Sequence, residues 1–436
     1  MRNGAAADGR WDPPQHGKRR MFLGQRTVLR HARRLGGFAA SVGITTLVGV
    51  FAIPVVIAYA GQETWGIIAV GQSIALLFGV LVSFGWGTIG PAMVAGMPAA
   101  GRPQMFFDSL VSRLYLFLLA FPLVLLTVVL VASDDIGVSF TAGVTYLVPF
   151  LGASWYFVGD GRPGRLLVFD TLPGTVGTVL GLVGLMLTGN VYVYLFSQMA
   201  LNLAGVCASA LLIRRSAATR PRIDPNLRRA AARLAGQRHG VITAATSSLY
   251  VNTPLLVIST VIPAARPLYA MADKFFRYGL TAVGPVVQVL QGSIADPDRT
   301  VQDRRIRSAA LLAPFVSIAG AAVMALCIPW ASRLLSQGAI AVDFSLAIPM
   351  GVVFGAVTIS QIVGLACLIP IGEGKALASS TVLGAAIGIP LIVAGALTIG
   401  VEGVAWAVAV SEIAVAAYQL VVVRRYFRRR RIAQQK

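Results

Sequence analysis

Twelve apolar runs separated by short polar stretches set the pattern of this chain. They lie near 35–61, 65–96, 111–132, 139–159, 165–187, 191–213, 241–262, 267–294, 308–331, 341–370, 376–398 and 401–423. Each reaches the roughly 20 residues a helix needs to cross the hydrocarbon core of a bilayer. The pattern predicts an all-α polytopic membrane protein with 12 transmembrane helices. The second run is longer than one helix requires, and the Gly85–Pro91 cluster predicts an end there with a bent continuation. The longest polar stretch, 214–240, divides the runs into six and six. The expected organisation is a basic tail (1–34), an N-terminal six-helix bundle (35–213), a basic linker (214–240), a C-terminal six-helix bundle (241–423) and a second basic tail (424–436). Pro54 and Pro254 take comparable places in the two halves, as do Gly90-Pro91 and Gly284-Pro285. Transporters are often built from two such repeats with the substrate path between them.

Composition agrees. The chain is 56% hydrophobic and 12% charged, with mean hydropathy +0.75. A soluble domain is usually about 25% charged. Residues 1–34 are polar and contain no short apolar stretch before a cleavage site, so no signal peptide is expected. Net charge is +20. In a soluble protein that would suggest nucleic acid, but here the charge sits in loops and tails beside the spans, the pattern of topology and anionic headgroups. With both termini cytoplasmic, all but four of the 37 Lys and Arg fall on that side. Arg266 and Arg333 lie opposite, while Lys274 and Arg277 lie within a span. The positive-inside rule therefore places both ends in the cytoplasm. Loops such as GQET, TGN and PAARP leave no space for an external catalytic domain. The three cysteines read as packing residues and the three histidines lack ligand spacing, so neither a metal nor a catalytic residue is expected.

One span breaks the apolar rule. YAMADKFFRYGL, residues 269–280, carries Asp273, Lys274 and Arg277. At helical spacing Asp273, Arg277, Thr281, Gly284, Gln288 and Gln291 share one face. Each unpaired charge near the bilayer centre costs roughly 2.5–3.5 kcal/mol. Asp273 precedes Arg277 by four residues, the favourable order for an intrahelical pair, which leaves Lys274 as net positive charge. A hydrated cationic lumen explains the stripe better than a purely structural pair. Gln72 in span two and Asn252 in span seven add polar groups, and together these spans suit a central cavity between the halves. Lys274, Arg277, Asn252, Gln72 and Gln288 are the expected substrate-binding residues. Glu412, mid-membrane in span twelve, reads equally as a protonatable site and as a protonated packing residue. Asp160 and Asp170, beside Arg162 and Arg165, are expected to form local pairs.

Several stretches resemble bacterial O-antigen and polysaccharide flippases. WYFVGDGRPGRLLVFDTLP (155–173) is similar to their span-four to span-five junction, and TWG (64–66) to the start of their second span. Tyr269 followed by Lys274 resembles the start of their eighth, and LIPIGEGKALASSTVLGAAIGIP with GVEGVAWAVAVSE (368–412) their last two. The resemblance covers most of 35–425 and points to the polysaccharide-transporter branch of the multidrug/oligosaccharidyl-lipid/polysaccharide exporter superfamily. It implies two six-helix bundles around a V-shaped central cavity, in a bacterial cytoplasmic membrane. It also implies transport of polyprenyl-diphosphate-linked oligosaccharide, with Lys274 and Arg277 as the cavity cations. Spans one and two hold no lysine or arginine, where relatives that move peptidoglycan precursor carry several arginines, which argues for another oligosaccharide. No cofactor is expected beyond H⁺ or Na⁺ as coupling ion, for which Asp273 and Glu412 are the candidates. Membrane lipids, a polysaccharide polymerase and glycosyltransferases are the expected partners, and nucleic acid is not. The rival within the superfamily is a cation-coupled multidrug exporter, which would want an acidic cavity.

Overall fold

The computed structural model describes residues 16–235, 238–294 and 298–434. The described residues make twelve helical passes, here numbered as spans. Spans one to six are His16–Ala60, Gln62–Gly96, Arg102–Val131, Ile136–Gly159, Pro163–Thr188 and Val191–Arg215. Spans seven to twelve are Arg238–Val261, Arg266–Ile294, Arg299–Leu335, Phe344–Leu368, Gly374–Thr398 and Val401–Gln434. Among the described residues, ten of these contain segments long and apolar enough to cross a membrane. The other two, spans seven and eight, are of membrane length at 24 and 29 residues. An even number of antiparallel passes leaves both described ends on one side, called here the terminal face; the opposite side is the far face.

Helices run past the apolar runs at the terminal face. Span one begins at His16, span nine at Arg299, and span twelve continues to Gln434. Arginine is a good helix former, so the polarity change at a membrane surface does not itself end a helix. The continuation expected after Gly85 is present: Phe84 and Gly85 are left-handed, with φ 40° and 81°, and a second helix runs Trp86–Gly96. Span four bends through a 3₁₀ turn at Val148–Leu151. Spans five and ten contain π-helical turns, Leu167–Thr171 and Ile362–Leu368. Such turns displace side chains relative to a regular helix and recur at functional sites.

The two sets of six pack alike. Spans one and five, two and three, two and four, four and six, and five and six are neighbours. Seven and eleven, eight and nine, eight and ten, ten and twelve, and eleven and twelve repeat those pairs. The linker adds a short helix, Leu227–Ala235, pinned to span three. Arg233 pairs with Asp108 at 3.0 Å, and the Gln104 amide exchanges hydrogen bonds with the Arg222 backbone at 2.8 and 2.9 Å.

The seam between the sets is uneven. Span seven packs along span two, and the Ser248 hydroxyl donates to the Leu76 carbonyl across the seam at 3.1 Å. The pseudo-equivalent pair, spans one and eight, meets sparsely. At the far face the seam is latched. Arg266, 2% exposed, donates to Asp134 at 2.9 Å and to the Ser259 hydroxyl at 2.9 Å. Beside it, a Cβ on Gly66 would lie 3.1–3.3 Å from the ring and backbone of Pro267. Only a glycine lets the two backbones approach this closely without displacement.

Candidate functional site

Span eight separates two cavities, and its polar stripe straddles the wall. The first cavity, about 460 Å³, lies among spans one, two, four, five and six, with span eight as its wall toward the second set. Lys274, Arg277, Tyr278 and Thr281 line it from span eight, facing Thr45, Thr46 and Gly49 of span one. The second, about 320 Å³, lies within the second set of helices, where Tyr269, Asp273, Phe276 and Leu280 of the same helix meet Tyr250, Glu412 and Gln419. Lining positions recur at three- and four-residue steps because both faces belong to one α-helix.

The cations are held by neutral and charged partners. Lys274 donates its ammonium to the Gln72 side-chain carbonyl. Arg277 donates Nε to Asp273 at 2.6 Å and Nη2 to the Asn252 amide oxygen at 3.2 Å. Asn252 donates in turn to the Ser248 carbonyl at 2.8 Å. Two bonded groups result: Lys274 with Gln72 between spans eight and two, and Arg277 with Asp273 and Asn252 between spans eight and seven. Gln288 is placed differently: it is exposed, further along span eight, and lines neither cavity.

The first cavity has a polar wall opposite the cations that the sequence reading did not single out. Span five supplies Thr171, Thr175 and Thr178, at steps of four and three; span six supplies Tyr194, Gln198 and Asn202, each four apart. The Tyr146 and Tyr194 hydroxyls lie 3.2 Å apart, and Gln198 donates to Thr178 at 2.9 Å while its own side-chain oxygen is buried with no partner among the described residues. The helical-step test applied to span eight would have found both stripes. Threonine hid the first, because Thr175 and Thr178 return their hydroxyls to carbonyls one turn back at 2.8 and 3.0 Å and so read as ordinary helix residues.

Asp170 also differs from expectation. Asp160 makes the expected local pair, to Arg162 at 3.0 Å, and also reaches Arg102 of span three at 2.7 Å. Asp170 instead sits in the π-helical turn and faces the first cavity. It lies against Gly152, whose added Cβ would be 2.8 Å from the carboxylate. The cation nearest in its electrostatics is Arg113, 1% exposed, which donates to the Phe150 and Gly152 carbonyls at 3.0 and 2.8 Å where span four bends. Its guanidinium lies 5.6 Å from the Trp155 ring centroid. Burial at the bend gives Arg113 a structural task, unlike the basic residues of the loops.

The second cavity is acidic. Asp273 and Glu412 line it, Glu412 close to the Tyr250 hydroxyl, which bonds Ser411. Gln419 donates to Ser380 at 2.9 Å, and its oxygen has no partner among the described residues. The Asp273–Arg277 pair therefore joins an acidic cavity to a basic one through a single helix.

No family model matches the chain, and no curated protein sequence does. Solved structures do. The lipid II flippase MurJ in an inward closed conformation superposes with TM-score 0.68 at 11% identity, covering 89% of this chain and 87% of that one. A Vibrio cholerae MATE transporter, VcmN, gives 0.52 at 14% identity over 91% of this chain and 98% of its own. A eukaryotic MATE transporter gives 0.54 at 12% identity, over 91% and 96%. Among the described residues, the helical two-by-six arrangement is thus the fold of the MurJ and MATE transporters.

Proposed function

We propose that the protein is a flippase that moves polyprenyl-diphosphate-linked oligosaccharide across a bacterial cytoplasmic membrane by alternating access, for cell-surface polysaccharide such as O-antigen or exopolysaccharide. The observation that carries this reading is the pairing of Lys274 and Arg277 with a hydroxyl and amide wall across one cavity beside an incompletely closed seam. The fold likeness to MurJ, named a lipid II flippase, supports it. The diphosphate would exchange the Gln72 and Asn252 oxygens for its own on the two cations, since charge-assisted bonds to phosphate are among the strong ones. Thr171, Thr175, Thr178, Gln198 and Asn202 would receive sugar hydroxyls. The polyprenyl chain would stay in the lipid by way of the gap between spans one and eight.

With both termini cytoplasmic, the latched far face is external and the cargo is drawn from the inner leaflet. A negative interior favours outward movement of the diphosphate, by up to about 2.3 kcal/mol per charge at 100 mV. Asp273 and Glu412 would take the H⁺ or Na⁺ that resets the carrier. A glycosyltransferase must supply the lipid-linked sugar, and a polymerase is the expected consumer.

A second reading, a cation-coupled multidrug exporter, draws on the two carboxylates of the second cavity. A strain lacking the gene separates the two readings. Lipid-linked saccharides are extracted, and their leaflet is assigned with an impermeant sugar-oxidising label. The flippase reading expects cytoplasm-facing saccharide to accumulate, and expects Lys274→Gln/Arg277→Gln at normal protein level to fail to clear it. Unchanged sidedness with a loss of resistance to cationic compounds would replace it with the exporter reading.

A further inference from the structure

A groove on the lateral surface of the second set of helices, away from both cavities, combines a cationic head with an apolar channel. At the terminal face, spans nine and twelve enclose a space of about 600 Å³ bearing Arg307, Arg424, Arg428 and Arg431 over Leu311 and Phe315. The nearby carboxylate is already occupied: Asp303 takes Arg430 and, at 3.3 Å, the Tyr426 hydroxyl. Arg307 lies 4.9 Å above the Phe427 ring, and none of the four groove arginines meets a carboxylate among the described residues. Four cations on one rim without counter-charge repel one another, so the rim attracts an anion.

The groove does not stop at the rim. Leu420 also lines an apolar channel of about 570 Å³ that continues between spans nine, ten and twelve, floored by small residues such as Ala321, Ala325, Gly355 and Ala417. On span nine the lining runs from Arg307 past Ile318 to Ala325, about 16 Å and about 27 Å from the rim at the helical rise of 1.5 Å per residue. One leaflet of hydrocarbon is about 15 Å, half the roughly 30 Å core. The site therefore has the two ends of a membrane lipid in order: guanidinium groups at headgroup depth, and an apolar channel that spans one leaflet of hydrocarbon and continues past the bilayer midplane. A peptide helix would not need the cations, and a free anion would not need the channel.

We propose that this groove binds one anionic phospholipid from the leaflet at the terminal face, its phosphate on Arg307, Arg424, Arg428 and Arg431 and an acyl chain along the channel floor. The test uses full-length purified protein, delipidated in detergent and titrated with phosphatidylglycerol or phosphatidylcholine. Thermal unfolding and the mass of the retained complex are read. Phosphatidylglycerol, and not phosphatidylcholine, should stay bound and raise the unfolding temperature. Replacing all four arginines by Gln should lower the affinity on the order of a hundredfold or more. Arg424→Gln/Arg428→Gln, both at exposed positions, serves if the fourfold variant does not fold. Ala417→Phe, which fills the channel without touching charge, should weaken retention as well. Equal phosphatidylglycerol binding by wild type and charge variants would overturn the proposal. Equal protection by inorganic phosphate would reduce the groove to a bare anion site. Displacement of the phospholipid by polyprenyl phosphate would reassign the channel to the cargo's tail. Because neither cavity is involved, the result is independent of which cargo the central site takes.

Discussion

Asp273 and Arg277 are bonded to each other yet face different cavities. Four residues at 3.6 per turn leave their side chains about 40° apart, enough to place one on each side of a wall formed by a single helix. Their charge and order are legible in the sequence, and so is their pairing. That the stripe falls on a boundary is not, because it depends on which neighbours span eight meets. Gln288 shows the same limit: it keeps the helical phase of Asp273, but the cavities end before the helix does. The pair is partly buried, with the Arg277 side chain 26% and the Asp273 side chain 13% exposed. Removing one partner from a buried pair costs roughly 3 kcal/mol, because the other charge is left unpaired. Arg277→Gln should therefore destabilise the protein by that order, and adding Asp273→Asn should recover most of it. A double-mutant cycle on thermal unfolding in detergent measures the difference. Additive losses would mean that water, not the partner, satisfies the two charges.

At the scale of helices, apolar runs locate all twelve passes because a bilayer accepts backbone only in long, internally hydrogen-bonded apolar stretches. Interruptions are less legible. The Phe84–Gly85 break announces itself through Gly and Pro; the π-helical turns at 167–171 and 362–368 also have them close by, at Pro173-Gly174 and at Gly364 and Pro370, but both residues are too common in this chain to mark a π turn. Close helix approaches are marked by glycine, but glycine is too common here to single them out. Span eleven crosses span twelve at Gly395, where a Cβ would meet the Gly403 carbonyl oxygen at 2.5 Å, while one on Gly292 meets nothing within 4 Å. Gly395→Ala should destabilise by roughly 1–3 kcal/mol as the two backbones part. Gly292→Ala should stabilise by about 0.5–1 kcal/mol through reduced chain entropy. Opposite shifts in unfolding temperature are the expected observation. Two shifts of the same sign would remove the crossing as the cause.

For the whole molecule, the repeat of packing pairs makes the departures from symmetry informative. Spans seven and two close tightly while one and eight do not, and the far face is tied by Arg266 to Asp134. Two prolines and two Gly-Pro pairs hinted at the repeat. The unequal seam had no sequence signature, since it is a property of one state of the assembled halves. Gly66→Cys with Pro267→Cys, in a background without the three native cysteines, should cross-link on oxidation and hold the far face shut. Transport should stop and return with reductant. Transport by the cross-linked protein would show that this face need not open.

Span eight also bears on how such a chain reaches the membrane. Its three charges set it apart from the ten spans that qualify by apolarity alone, and each charge disfavours partition of an isolated helix by roughly 2.5–3.5 kcal/mol. The groups that relieve this cost, Gln72 and Asn252, sit on spans two and seven, made earlier in synthesis. During biogenesis the first half is thus already in place as a template, and the segment at the heart of the site is the one whose residence in lipid depends on it.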